Sequence, residues 1–242
     1  METAATFRGD ARAQDRGEVR VWALPAPTVA SSTTLDLTAL DERERQRMNA
    51  FVQDRDRVLY GFAHAALRTI LSALTGEAPA ALRFVRAACP CCDEPHGRPV
   101  LTSARLEFSL SHSRDLVLIG VAPTPIGVDT EPVPKLGTAE QLARVLHPAE
   151  REEVAAALPE HRAAVFARLW VHKEAYLKGL GTVLGRSPAA DDIRGDVAGW
   201  HLSDLSVGPG QAAAVAVGSP APYEIRLHRA LPVTRPPMFS VR

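Results

Sequence analysis

An α+β fold is predicted for this chain by three features of its sequence. Helix-like blocks are followed by strand-like blocks, and that order occurs twice along the 242 residues. The length suits one large domain or two closely packed halves, because single cores stop growing near ~250–300 residues. Hydrophobic residues make up 46% of the chain and charged ones 23%, which is the balance of an ordered globular protein and not of a disordered or membrane chain.

The elements read in order as follows. Residues 1–18 mix small and charged side chains without an apolar run; they predict a flexible tail that is neither a secretory signal nor a membrane anchor, and with it a cytoplasmic location. Val19 to Leu24 alternates as a strand does, and Pro25 and Pro27 end it. Thr38 or Asp41 can cap a helix whose first turn holds Glu42 and Glu44, as the helix dipole prefers. Apolar residues at three- to four-residue spacing, from Met48 to Leu74, predict one long or kinked helical element from about Leu40, stopped by Gly76 and Pro79. A short strand at Arg83 to Ala87, a loop to Pro99 and a strand at Leu106 to Ser111 come next. Leu116 to Val121 and Ile126 to Asp129 are two further strands, and Pro123-Thr124-Pro125 between them makes either a hairpin or a crossing. This midpoint separates an N-terminal half, 19–125, from a C-terminal half, 126–242. Helices are predicted at Thr138 to Val145, Pro148 to Leu158 and His161 to Leu180. Strands at Trp200 to Leu205, Ala212 to Val217 and Tyr223 to His228 finish the chain.

Charge and cysteine content narrow the function classes. Lys plus Arg and Asp plus Glu both total 28, so no net field favours a nucleic-acid backbone or an anionic membrane, and any phosphate site must be local. The three cysteines, Cys89, Cys91 and Cys92, form one cluster followed by His96. The spacing contains C-x-x-C, but a structural zinc needs a second pair of ligands and no other cysteine exists; His96 is the one candidate third ligand. The cluster therefore reads as a loop of reduced thiols.

Two segments carry the chemistry. In Gly127-Val128-Asp129-Thr130-Glu131, Asp129 and Glu131 share one face of a strand. Two such carboxylates repel unless a cation sits between them, and magnesium prefers a few carboxylates together with substrate phosphate oxygens. In Trp170-Val171-His172-Lys173-Glu174-Ala175-Tyr176-Leu177-Lys178, the residues Trp170, Glu174 and Lys178 form one helical stripe. Alone, Glu174 and Lys178 would be a surface pair worth roughly 0.2–0.5 kcal/mol. Lys173, however, falls in the neighbouring apolar stripe, where a lysine must snorkel or meet an anion. Phe108-Ser109-Leu110-Ser111-His112-Ser113 ends a strand with hydroxyls around a histidine, and His96-Gly97-Arg98-Pro99 presents a cation at a turn. Arg43, Arg45, Arg47, Arg55 and Arg57 either solvate a helix face or supply forks for a terminal phosphate.

In this order, H-G-R-P, F-S-L-S-H-S, G-V-D-T-E and W-V-H-K-E-A-Y-L-K resemble the 4'-phosphopantetheinyl transferases, and the length and doubled layout resemble the Sfp-type group that activates polyketide and nonribosomal peptide synthases. The resemblance spans roughly Leu40 to Gly185. It implies a pseudodimer of two similar α+β halves, with the active site between them, which binds coenzyme A and magnesium and acts on acyl or peptidyl carrier proteins as a monomer, without nucleic acid or membrane. By motif position Asp129, Glu131 and Glu174 are the implied metal ligands and Glu174 and Lys178 the catalytic pair. The implied coenzyme A contacts are Lys178 and His112 at the phosphates, Arg98 and Pro99 at the adenosine end, Arg45 and Arg47 at the 3'-phosphate, and in addition Ser111 and Lys173. The chain departs from the family pattern in having Arg98 where lysine is frequent and Val183 where glycine is common. Two other readings compete: a metal-dependent phosphodiesterase or nuclease, against which the lack of a basic stripe counts, and an inactive carrier-binding module, against which the intact acidic set counts.

Overall fold

A computed structural model of the chain describes residues 18–34, 36–182, 185–219 and 223–232. Strand β1 (Glu18–Pro25) starts one residue inside the predicted tail. Asp41 caps α1 (Glu42–Asn49) through a reciprocal pair: Glu44 N–H donates to Asp41 Oδ1 at 2.9 Å, and Asp41 N–H to Glu44 Oε2 at 2.8 Å. The predicted long helix is broken. Gln53 adopts extended backbone, and α2 (Asp54–Thr75) restarts with Asp54 and Asp56 at its positive end. By length and composition α2 could cross a membrane, yet Leu59, Ala63, Leu67, Ile70 and Leu71 line one buried face of it.

Short strands β2 (Phe84–Arg86) and β3 (Pro99–Leu101) pair around the cysteine loop, and β3 is an element the sequence pattern did not announce. Then follow β4 (Glu107–Ser113), β5 (Leu116–Ala122), β6 (Ile126–Pro132), α3 (Leu136–Leu142), α4 (Pro148–Ala156), α5 (Pro159–Leu180), β7 (Trp200–Asp204), β8 (Gln211–Gly218) and β9 (Glu224–His228). Gly181 takes the left-handed conformation, φ 78°, that closes α5.

Besides the β2-β3 pair, two larger sheets form among the described residues, ordered β4-β5-β1-β9 and β6-β8-β7. The Pro123–Pro125 link is thus a crossing from one sheet to the other and not a hairpin. Parity along the strands explains the layers. Trp22, Leu24, Val117, Ile119 and Val121 face α2, whereas Val19, Val21, Ala23, Leu116 and Leu118 meet Ile126, Val128, Ala213, Val215 and Val217 of the second sheet. The alternate residues Ala214 and Ala216 pack against Leu169, Val171, Ala175 and Leu177 of α5 or their neighbours. The stack therefore runs helix, sheet, sheet, helix, a mixed α+β architecture. Strand β9 returns from the C-terminal part to pair in parallel with β1, and His228 stacks on Trp22 with ring centroids 4.9 Å apart. That return crosses the boundary drawn at residue 125.

Candidate active site

The edge strands of the two sheets, β4 and β6, lie side by side and are stitched by alternate serines. Ser109 Oγ accepts from Val128 N–H at 3.1 Å, Ser111 Oγ donates to Asp129 Oδ1 at 2.8 Å, and Ser113 Oγ donates to Glu131 Oε2 at 2.9 Å. The S-x-S-x-S alternation puts all three hydroxyls on one face of β4. Helix α5 covers β6 at unusually close range: a Cβ on Gly127 would lie 1.8 Å from the carbonyl oxygen of Ala175. This approach brings Trp170, Glu174 and Lys178 over Asp129 and Glu131.

A cavity of about 400 Å³ results, lined by Leu110, Ser111, His112, Asp129, Glu131, Trp170, Glu174 and Lys178. Lys178 Nζ donates to Asp129 Oδ1 at 2.6 Å and to Ser111 Oγ at 3.0 Å. Burial raises the carboxyls of Glu131 and Glu174 above the ordinary glutamate range, and the charge of Asp129 adds to the effect on both. Burial, helped by the charges of His64 and Lys178, lowers His112, so its imidazole is neutral near pH 7. Asp129 Oδ2 is buried without a hydrogen-bond partner. An orphaned carboxylate oxygen beside two destabilised carboxylates is a donor set suited to a hard divalent cation. Asp129, Glu131 and Glu174 therefore fit magnesium, although the three are not drawn tightly together as the Cys89, Cys92 and His96 ligand atoms are, which lie within 4.8 Å of one another.

A second cavity of about 410 Å³ opens next to the first and shares Leu110 and Lys178 with it. Its wall presents Arg86, Arg98, Lys178, His64 and His96 together with Pro99 and Phe108. Cations around an apolar floor suit a phosphorylated ligand with a flat aromatic part. Arg98 is oriented by both oxygens of Glu107, one of them at 3.1 Å from Nη2. His64 is held by Glu44 Oε1 at 3.1 Å, and Glu44 is itself anchored by the fully buried Arg68 at 2.8 Å.

The structure thus gathers Asp129, Glu131, Glu174, Lys178, Ser111 and His112 in one cavity and Arg98 and Pro99 in its neighbour. It does not bring three other predicted residues there. Lys173 is wholly buried and pairs with Glu150 at 2.7 Å, so it has met its anion inside the protein and not in a ligand site. Arg45 lies 3.6 Å from Glu42. Arg47 sits over the Phe51 ring at 5.6 Å and borders a separate hollow with Val52, Gln53 and Asp56. Val183 and the tail before Glu18 lie outside the described residues. His64 and Arg86 were missed because no motif carries them: they reach the wall only through packing of α2 and the pairing of β2 with β3.

Lys178 stands between an acidic and a basic cavity, an arrangement suited to a phosphorylated ligand. Residues 125–217, from β6 through most of β8, match the 4'-phosphopantetheinyl transferase superfamily. The chain is 29% identical over 214 residues to the 4'-phosphopantetheinyl transferase HetI of Nostoc sp. (strain PCC 7120), covering 83% of this chain and 87% of that protein. It is 28% identical over 142 residues to a 4'-phosphopantetheinyl transferase of Bacillus subtilis, covering 58% of this chain and 59% of the relative. With 4'-phosphopantetheinyl transferase psf-1 of Bacillus pumilus it shares 33% identity over 89 residues, 36% of this chain and 38% of that protein. Residues 125–217 are thus similar to the 4'-phosphopantetheinyl transferase superfamily, and the relatives that resemble the chain are enzymes of that name.

Proposed function

We propose that this protein transfers the 4'-phosphopantetheine group of coenzyme A to a serine hydroxyl of apo carrier proteins, with release of 3',5'-ADP. The observation that carries the reading is the position of Lys178, which lines both the basic cavity and the carboxylate cavity. Phosphates held in the first bring the pyrophosphate to the edge of the second.

Arg86, Arg98 and His64 bind and orient the nucleotide end, and His112 offers a neutral imidazole N–H to a phosphate oxygen. Asp129, Glu131 and Glu174 would hold magnesium, which when bound neutralises the pyrophosphate and polarises the attacked phosphorus. Glu174, whose carboxyl burial has raised, takes the proton of the carrier serine as its oxygen bonds to phosphorus. The bond from that phosphorus to the bridging oxygen of the diphosphate breaks, and Lys178 offsets the charge that gathers on the departing 3',5'-ADP.

The helix, sheet, sheet, helix stack supports two α+β halves, 19–125 and 126–242, as a pseudodimer with the site between them, and the likeness to HetI supports an Sfp-type enzyme. We extend the reading to carrier domains of fatty acid, polyketide or nonribosomal peptide synthases, and to a cytoplasmic monomer that engages neither nucleic acid nor membrane, for which the balanced charge is the support. The superfamily match favours transfer over the nuclease and inactive-module readings. The test is intact-mass spectrometry of an apo carrier protein incubated with the enzyme, coenzyme A and magnesium. A gain of one phosphopantetheine mass that a chelator abolishes is the expected result; no gain on carriers of several kinds would refute the proposal.

A further inference from the structure

The loop between β2 and β3, which the sequence gives as reduced thiols, gathers three groups able to ligate a metal. Cys89 Sγ, Cys92 Sγ and a ring nitrogen of His96 all lie within 4.8 Å of one another, and Cys92 Sγ stands 3.0 Å from His96 Nε2. The backbone is shaped to bring them together. Asp93 N–H donates to Cys89 C=O at 2.8 Å, Cys89 N–H donates to Glu94 C=O at 2.8 Å, and Asp93 takes the left-handed conformation, φ 61°. This reversal folds His96 back over the C-x-x-C turn, and Gly97 N–H then returns to Ala87 C=O at 3.0 Å to close the loop at its base.

We propose that Cys89, Cys92 and His96 form a binding site for a thiophilic divalent cation, zinc by its ligand chemistry, that clamps the loop from Ala87 to Arg98. Two thiolates and an imidazole are the donor set zinc prefers, and three protein ligands leave its fourth tetrahedral position to solvent. Binding displaces the two thiol protons, so no oxidant or reductant is required. His96 beside Cys92 supplies the nitrogen donor that completes a mixed sulfur and nitrogen set. Cys91 is left out of the site because its sulfur is not among the ligand atoms that lie within 4.8 Å of one another. The site differs from the carboxylate cluster in both place and donor type, since oxygen ligands suit magnesium and sulfur ligands do not. Its consequence is local: Cys89, His96, Gly97, Arg98 and Pro99 all line the basic cavity, so the ion would hold that wall in shape.

The test does not depend on transferase activity. The full chain is purified with a non-thiol reductant and without chelator, its metal content is measured by mass spectrometry, and zinc is titrated against a chromophoric competitor with excess magnesium present to occupy the oxygen site. One equivalent of zinc is expected for the wild type and for Cys91→Ser, and the equivalent is lost in Cys92→Ser and in His96→Ala. Both of these side chains are exposed, and circular dichroism checks that the variants are folded. Cobalt in place of zinc should show thiolate charge-transfer absorption and intense tetrahedral bands. A wild-type chain without stoichiometric zinc, a Cys91→Ser variant that loses the ion as fully as Cys92→Ser, or a Cys89 to Cys92 disulfide in place of a metal would overturn the proposal.

Discussion

Replacing Gly127 by alanine tests whether the close seating of α5 on β6 builds the site. The new Cβ would fall 1.8 Å from Ala175 O and 2.5 Å from Gly179 N. Both are backbone atoms of the helix, so no side chain can rotate away. The helix must retreat by about 1.2 Å to reach even the 3.0 Å lower limit of such contacts, and ~1 Å of misplacement at a reacting centre costs about 10²-fold in rate. Overpacking of this kind costs ~1–3 kcal/mol, and its backbone character points to the upper end. For a chain of this length that is a fall in Tm of roughly 6–12 °C. The assay pairs a thermal scan with carrier-modification kinetics under saturating coenzyme A. The displacement separates Glu174 and Lys178 from Asp129, so kcat should fall about 10²-fold while the variant remains folded at 25 °C. A Gly127→Ala protein with wild-type Tm and kcat would refute the argument that helix seating sets the geometry.

Three other outcomes follow from the same structure. Lys173→Met should cost ~3–5 kcal/mol by leaving Glu150 buried and unpaired, seen as a large loss of Tm with unchanged coenzyme A affinity; weakened affinity in the folded variant would return Lys173 to the ligand site. Arg86→Ala should weaken coenzyme A binding in calorimetry, whereas Arg45→Ala and Arg47→Ala should leave it unaltered, because only Arg86 lines the basic cavity; the reverse pattern would restore the α1 arginines to the 3'-phosphate. Glu131 and Glu174 have carboxyls raised above the ordinary value of 4.5. Their contribution to the stability of the metal-free protein is fully present below that value and is lost as pH rises through the raised values. Magnesium competes with those protons, so the Tm gain on adding magnesium should vanish well below pH 4.5 and grow as pH rises toward neutrality. A gain independent of pH would separate the metal from these carboxylates.

Much of this was legible in the sequence because it rests on periodicity. The parity of Asp129 and Glu131, the i, i+4 stripe of Trp170, Glu174 and Lys178, the Asp41 cap and the glycine stop at Gly181 all follow from local geometry. What escaped depends on contacts distant in sequence. Lys173 and Lys178 are both lysines on one helix, and only the position of Glu150 on α4 shows that the first is consumed by a buried pair. The arginines of α1 match a phosphate fork in composition, but the broken helix at residues 50–53 leaves them off the cavity. His64 and Arg86 belong to elements whose pairing no local pattern specifies. The return of β9 to β1 was hidden for the same reason, since a strand pattern does not name its sheet. In the cysteine loop the sequence offered His96 as a third ligand, but its approach to Cys92 depends on the left-handed turn at Asp93, which no spacing rule specifies.

The most direct test of the central claim follows the mass of one apo carrier protein with coenzyme A and magnesium, comparing wild type, Glu174→Gln and Lys178→Ala at equal concentration. The account predicts complete conversion by the wild type and no detectable conversion by Glu174→Gln, whose thermal scan stays near wild type. Lys178→Ala should convert slowly and bind coenzyme A weakly. Wild-type conversion by Glu174→Gln would contradict the claim that the junction of β4, β6 and α5 carries the chemistry.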